Sequence, residues 1–210
     1  MSDRIAHAGL RGKIMSAEEA AAFINHGDLV GFAGFTGAGY PKVVPSALAE
    51  RIKAAHARGD EFKIKMMTGA STAPELDGAL ADVNGVEWRM PYQSDPHMRN
   101  RINAGDAGYS DIHLSHSGPQ VEQGFFGPVA AAVVEVSRIR EDGSLVVASS
   151  VGNNLSYLNA AEKIIIEVNS WQSEDLEGMH DIYDVGLPPL RKEIPITNPG
   201  DRIGSPYMTV

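Results

Sequence analysis

GFAGFTGAGYPK, residues 31–42, carries four glycines and a proline between an apolar run and a helical one. The run before it, Asp28–Gly34 (DLVGFAG), has the length and apolarity of a buried strand. The run after it, Pro45–Arg58 (PSALAERIKAAHAR), places apolar residues at helical spacing and ends at Gly59, with proline suited to a first helical turn. Strand, glycine loop and helix in that order open an α/β fold, and the rest of the chain repeats the alternation.

Upstream, Ser16-Ala17-Glu18-Glu19 fits a capping box, which predicts a helix through the Ala-rich run to His26 with Gly27 as its stop. Downstream, Phe62–Thr68 alternates as a second strand, GASTAP follows, and Glu75–Val83 reads as helix. Val86–Met90 is a third strand, and the segment after Asp95 is helical. Val129–Ile139 and Ser144–Ser149 flank an Asp-Gly turn and form a hairpin. SVGNNLSYLNAAEK gives a loop and a helix, and the β-branched Lys163–Val168 suits a buried strand. The expected fold is therefore α/β, a mostly parallel sheet with helices on both faces plus one hairpin. Residues 1–170 make the α/β domain. Beyond Asn169 the period fades among prolines and glycines, so 171–210 is expected to be a strap or linker toward a missing second domain.

Composition narrows the function. The net charge of −9 disfavours general nucleic-acid binding, while a local basic site could still hold an anion. The absence of cysteine excludes disulfides, thiolate zinc and cysteine nucleophiles. The opening MSDRIAHAGLRGKIMS lacks a secretory apolar core, and no run approaches a membrane span. A cytoplasmic protein with no membrane partner is the expectation.

Two nucleotide readings of the glycine loop fall short. A dinucleotide fingerprint would follow Gly37-Ala38-Gly39 with a third glycine at 42, where lysine stands, and strand two ends without a ribose-binding acid. A Walker loop would place lysine directly after Gly39, where Tyr40-Pro41 intervene. The remaining choice lies between glycines that only let the chain turn and approach its neighbours and glycines that floor a ligand site. Position in the fold favours the site. Open α/β sheets bind ligands beyond the carboxyl ends of their strands, and GFTGAG, TGAST, PYQSDP and SSVGNN all fall there. Their N–H groups and hydroxyls suit a carboxylate or an acyl oxygen.

Four stretches then carry a family resemblance. Gly34–Lys42 (GFTGAGYPK), Thr68–Thr72 (TGAST), Met98–Gly105 (MRNRINAG) and Ser149–Asn153 (SSVGN), extended by IIIEVN, Trp171-Gln172 and LEGMHD, together resemble the amino-terminal half of the acetyl-CoA hydrolase/transferase family. These are class I CoA-transferases of the NagB/RpiA/CoA-transferase-like fold, and the nearest likeness is to succinyl-CoA:acetate CoA-transferases. The resemblance covers almost the whole chain. It implies a covalent relay: a glutamate attacks an acyl-CoA to give an anhydride, CoA thiolate forms a glutamyl thioester, and an acceptor carboxylate completes the exchange. Coenzyme A is then a substrate, no cofactor is expected, and the partners are acyl-CoA, small carboxylates, a second CoA-transferase domain and a homo-oligomeric copy.

In the family the nucleophilic glutamate lies in the second domain. Glu75, Glu87, Glu122 and Glu167 are the acids nearest strand ends or turns, and none has the nucleophile's context. The expectation is an amino-terminal domain that contributes one wall of the cleft and is inactive alone. The wall implied by the resemblance is Phe35, Thr36, Gly37, Ala38, Gly39, Ser71, Thr72 and Ser94. Ser71 and Ser94 would donate hydrogen bonds, and Phe35 would be an apolar lid. An acetyl-CoA hydrolase, a carboxylate-binding module without catalysis, and a domain kept for oligomer contacts remain alternatives. Other candidates are weaker. His113 and His116 with Asp111 lack a further metal ligand, and Ser149-Ser150 lacks the Gly-x-Ser-x-Gly context. Lys42 reads as a solvated lysine or an anion attractor. Arg99 and Arg101 read as surface salt-bridging residues or as contacts for CoA phosphate or an acidic partner domain.

Overall fold

A computed structural model describes residues 2–70 and 73–204. Its strands are β1 (Leu29–Phe32), β2 (Ile64–Met67), β3 (Val86–Met90), β4 (Gly108–Tyr109), β5 (Ala131–Ile139), β6 (Leu145–Val147) and β7 (Ile164–Val168). They form one sheet in the order β4-β3-β2-β1-β5-β6, with β7 also paired to β5. Every pairing is parallel except β5 with β6, the hairpin expected around Asp142-Gly143. The long β5 is shared: Ala131–Val133 pair with β1, Ala132–Glu135 with β7, and Val136–Ile139 with β6.

The helices are α1 (Ala8–Arg11), α2 (Ala17–Ala21), α3 (Val43–Ala57), α4 (Ala79–Asp82), α5 (Pro96–Ala104), α6 (Leu114–Glu122) and α7 (Asn154–Ala160). Period-two burial distributes them over both faces. On β1, Val30 and Phe32 enter a core with Leu48, Ile52 and Leu80 of α3 and α4. Leu29 faces the opposite way, toward Val121 of α6 and Tyr157 of α7. A third cluster joins Val134 and Val136 of β5 to Leu145, Leu158 and Ile182. With both faces covered, the strands are buried nearly throughout, which is the demand of a parallel sheet. Among the described residues no helix is long and apolar enough to cross a membrane.

Several ends depart from the sequence reading for identifiable reasons. The capping box at Ser16 forms in both directions, yet α2 stops at Ala21 and does not reach His26. Past Ala21 the chain tightens into turns, with Phe23 and Ile24 N–H donating to the Ala20 and Ala21 carbonyls at 3.2 Å, and Arg51 takes the Ala21 carbonyl at 2.9 Å and also that of Ile24, so the helix ends there. Glu75–Val83 is a π-turn over Pro74–Gly78 followed by the single turn α4. In α5 the local signals hold: Asp95 accepts from His97 and Met98 N–H, Pro96 opens the helix, and Gly105 closes it at φ +80°. β4 and α6 had no counterpart in the reading.

Candidate active site

The loop Gly34–Gly39 leaves the carboxyl end of β1 and folds back on itself. Phe35 and Ala38 exchange backbone hydrogen bonds of 2.9 and 3.0 Å around Thr36 (φ +47°) and Gly37 (φ +79°). Two successive positive φ values make this a tight hairpin turn, a form a β-branched threonine adopts only under strain. Ser150 Oγ secures the turn by donating to the Ala38 carbonyl at 2.6 Å.

Behind the turn, three loops meet with no side chain between them. A Cβ on Gly69 would stand 2.3 Å from the Gly34 carbonyl oxygen and 2.9 Å from Gly152 Cα. The loops after β1, β2 and β6 can close together only because these positions lack a side chain. Packing and site-building are therefore one device, since closure of the three loops sets the floor of what lies in front of them.

In front is a cleft of about 450 Å³ lined by Phe35, Thr36, Gly69, Ala70, Tyr92 and the segment Asp111–Leu114. It lies beyond the carboxyl ends of β1 to β4, where α/β sheets bind their ligands. Phe35 and Tyr92 present half-exposed rings, and Asp111 and His113 are the charged or titratable side chains of the lining other than Tyr92. Among the described residues no lysine or arginine lines it, so a bound carboxylate would be met by backbone N–H groups, the Thr36 hydroxyl and His113.

Of the expected wall, Phe35 and Thr36 line this cleft, and Gly37, Ala38 and Gly39 complete the turn beside it. Ser71 and Thr72 lie outside the described residues. Ser94 is exposed and is not in the lining; its carbonyl receives Arg99 Nη2 at 2.7 Å. Asp111–Leu114 escaped the reading as a cleft wall because the strand before it is two residues long. The strand-end rule would have found the segment had β4 been visible.

The other candidates have structural occupations. Lys42 is not a free surface lysine: its side chain is one-third exposed, and Nζ pairs at 2.5 Å with Glu135, which is fully buried in mid-strand, so its charge is already engaged. Glu167 accepts from the N–H groups of Lys42, Val43 and Val44 at 2.7–3.0 Å and caps α3 from β7. Glu75 accepts from Tyr40 Oη at 2.8 Å. That bond, then a backbone one, holds the Glu75 carboxyl below its usual range, while burial and then Glu75 push Tyr40 upward. Glu122 meets Asn159, Glu87 is exposed, and none of the four glutamates lines the cleft. Arg101 binds the Ala81 and Asp82 carbonyls and Asp106, which ties α5 to α4. The His113 and His116 rings pack edge-on at 5.5 Å, and among the described residues no three His, Asp or Glu side chains are grouped to hold a metal.

The acetyl-CoA hydrolase/transferase N-terminal domain matches residues 3–192. The chain belongs to the acetyl-CoA hydrolase/transferase family. A succinyl-CoA:acetate CoA-transferase of Clostridium kluyveri is 40% identical over 206 residues, 98% of this chain and 38% of the relative. A propanoyl-CoA:succinate CoA transferase of Escherichia coli is 39% identical over 93% of this chain and 40% of its own length. An acetyl-CoA hydrolase of Schizosaccharomyces pombe is 36% identical over 100% and 41%. This family member thus spans about two fifths of the length of these curated relatives. Among solved structures, RipA from Yersinia pestis shares the fold with a TM-score of 0.60 at 18% identity, over 81% of this chain and 38% of that one. Glutaconate coenzyme A-transferase from Acidaminococcus fermentans does so at 0.54 and 14%, over 74% and 68%. The mostly parallel sheet with helices on both faces is accordingly a CoA-transferase fold.

Proposed function

We propose that this chain is the amino-terminal domain of an enzyme that moves CoA between a short acyl-CoA, acetyl or succinyl, and a carboxylate. Residues 1–170 form one wall of the acyl cleft, and 171–210 lead toward a second domain that brings the nucleophilic glutamate. The observation that supports this most is the cleft itself. It is floored by the glycine loops at the strand ends, in a chain 40% identical to a succinyl-CoA:acetate CoA-transferase over nearly its full length.

The chemistry conserves atoms at each step. The glutamate oxygen attacks the thioester carbonyl, the carbon–sulfur bond breaks, and CoA leaves as thiolate. That thiolate attacks the glutamyl carbonyl of the anhydride, releasing the first acid as its carboxylate. An acceptor carboxylate then reverses the sequence and departs as the new acyl-CoA; water in its place makes the enzyme a hydrolase. The Phe35 and Tyr92 rings shape the apolar acyl side, and Ser71, next in the chain after the lining residue Ala70, donates a hydrogen bond to a carboxylate or the nucleophile. Splitting one displacement into such steps lowers each barrier.

Thioester exchange between acetyl-CoA and succinate tests this on the 210-residue chain and on the full-length polypeptide. Exchange by the full-length protein alone is expected, with a mass gain of CoA less one water on a glutamate outside this chain. Absence of both exchange and hydrolysis across short acyl-CoAs would overturn the reading. Binding of short carboxylates by the 210-residue chain with no turnover in the longer protein would favour a carboxylate-binding module.

A further inference from the structure

Beneath the cleft floor lies a polar group that the chemistry above does not use. Arg89 and Asp77 are both fully buried, and they form a two-pronged ion pair, Nε to Oδ1 at 2.8 Å and Nη2 to Oδ2 at 3.0 Å. Arg89 also donates from Nη2 to the Ala70 carbonyl at 3.2 Å and from Nη1 to that of Met90. One guanidinium therefore spans the loop after β2, which lines the cleft at Gly69 and Ala70, and the start of the loop after β3, which lines it at Tyr92. The bonds to Asp77 fix the guanidinium plane, so the remaining N–H groups hold both carbonyls at one spacing. A lysine, with donors on a single atom, cannot reproduce that fork.

Backbone satisfaction does not require this pair. The Ala70 carbonyl also accepts from Thr68 Oγ1, and the Met90 carbonyl from Thr68 N–H at 3.2 Å. Nor does stability, because buried ion pairs exchanged for apolar pairs are commonly neutral or stabilising. We propose that Arg89 and Asp77 are positioning residues that hold the two loops of the acyl cleft at a fixed separation. The inference rests on the CoA-transferase reading of that cleft.

The test is the full-length protein with Asp77→Leu and Arg89→Met together, measured for unfolding temperature, kcat, KM and hydrogen exchange at residues 69, 70, 92 and 93. Expected are an unfolding temperature at or above wild type, faster exchange in those two loops, and a loss of about a hundredfold in kcat/KM carried mainly by kcat, the scale of an ångström misplacement. A folded double variant with unchanged loop exchange and a rate within about threefold of wild type overturns the proposal. If the double variant does not fold, Arg89→Lys decides by the same readings, and failure of that variant to fold as well makes the pair purely structural and ends the inference. An inactive wild type would remove the proposed function instead, and loop exchange alone would then decide whether the pair positions the floor.

Discussion

At the scale of single residues, the outcome of a substitution depends on what the new or missing atom meets. Gly69→Ala places a methyl 2.3 Å from one loop's carbonyl and 2.9 Å from another loop's Cα, and backbone on two sides cannot move aside cheaply. A loss of about 1–3 kcal/mol in urea unfolding is expected, with impaired turnover in the full-length protein. Gly12→Ala is the control. Its Cβ would meet nothing within 4 Å and its φ of −74° suits any residue, so the change should be neutral or stabilising by up to about 1 kcal/mol. Equal costs at the two sites would refute the three-loop junction. Lys42 tests charge in the same way. Lys42→Met leaves the buried Glu135 carboxylate with the Asn169 and Gln172 amides alone. Because the lysine side chain is itself one-third exposed, the cost should fall to about 2 kcal/mol, below that of breaking a fully buried pair. Adding Glu135→Gln should recover part of it, and strict additivity in that double-mutant cycle would deny the pairing.

At the scale of elements, α3 shows how distant chain segments complete one another. Its amino terminus has Lys42 in the capping position with no side-chain cap of its own. Glu167, on β7, supplies the acceptor for three consecutive N–H groups and places a negative charge at the positive end of the helix dipole. Glu167→Ala should cost about 1–2 kcal/mol in urea unfolding and Glu167→Gln less, since the amide keeps an acceptor but loses the charge. An alanine variant as stable as wild type would remove the cap. Glu167 also marks the limit of what the sequence discloses. Local signals were legible: the capping box at Ser16, the helix after Asp95, the Asp142-Gly143 hairpin, and the β-branched β7. Elements made by tertiary partners were not. The end of α2 is set by Arg51, β4 is two residues that exist as a strand through pairing with Trp88 and Arg89, and α6 carries Pro119 inside it. The site divides along the same line. Phe35 and Thr36 sit on the most readable loop of the chain, whereas Asp111–Leu114 follow its least readable strand.

At the scale of the whole molecule, the sheet and its two helical layers are held by apolar burial, and the segment after Asn169 is held mainly by polar contacts. Ile182 is its anchor in the core, and His180 Nε2 reaches the Ala148 carbonyl at 2.8 Å. Its far end is closed by Asp181, which accepts from Gly204 N–H at 2.8 Å, Ile203 N–H at 2.9 Å and Arg202 Nε at 2.6 Å. Those backbone bonds, with the Arg202 guanidinium, hold the Asp181 carboxyl below its ordinary value. A carboxyl depressed by folding stabilises the closed segment fully above the ordinary aspartate range, and that contribution is lost as pH falls through the lower folded value. Acid should therefore open residues 182–204 first, while β1, β2 and β5 stay closed, because the buried sheet answers to a larger unfolding free energy than a polar closure does. Hydrogen exchange corrected for intrinsic rate, compared at about pH 6 and about pH 3, should show protection lost in 182–204 and kept in 29–33 and 131–136. Asp181→Asn should show the open pattern at both values. Equal protection of the segment in wild type and variant at the higher pH would mean that Asp181 does not close it, and that its hold on the body comes from Ile182, His180 and the arginine pairs to Glu174 and Glu177.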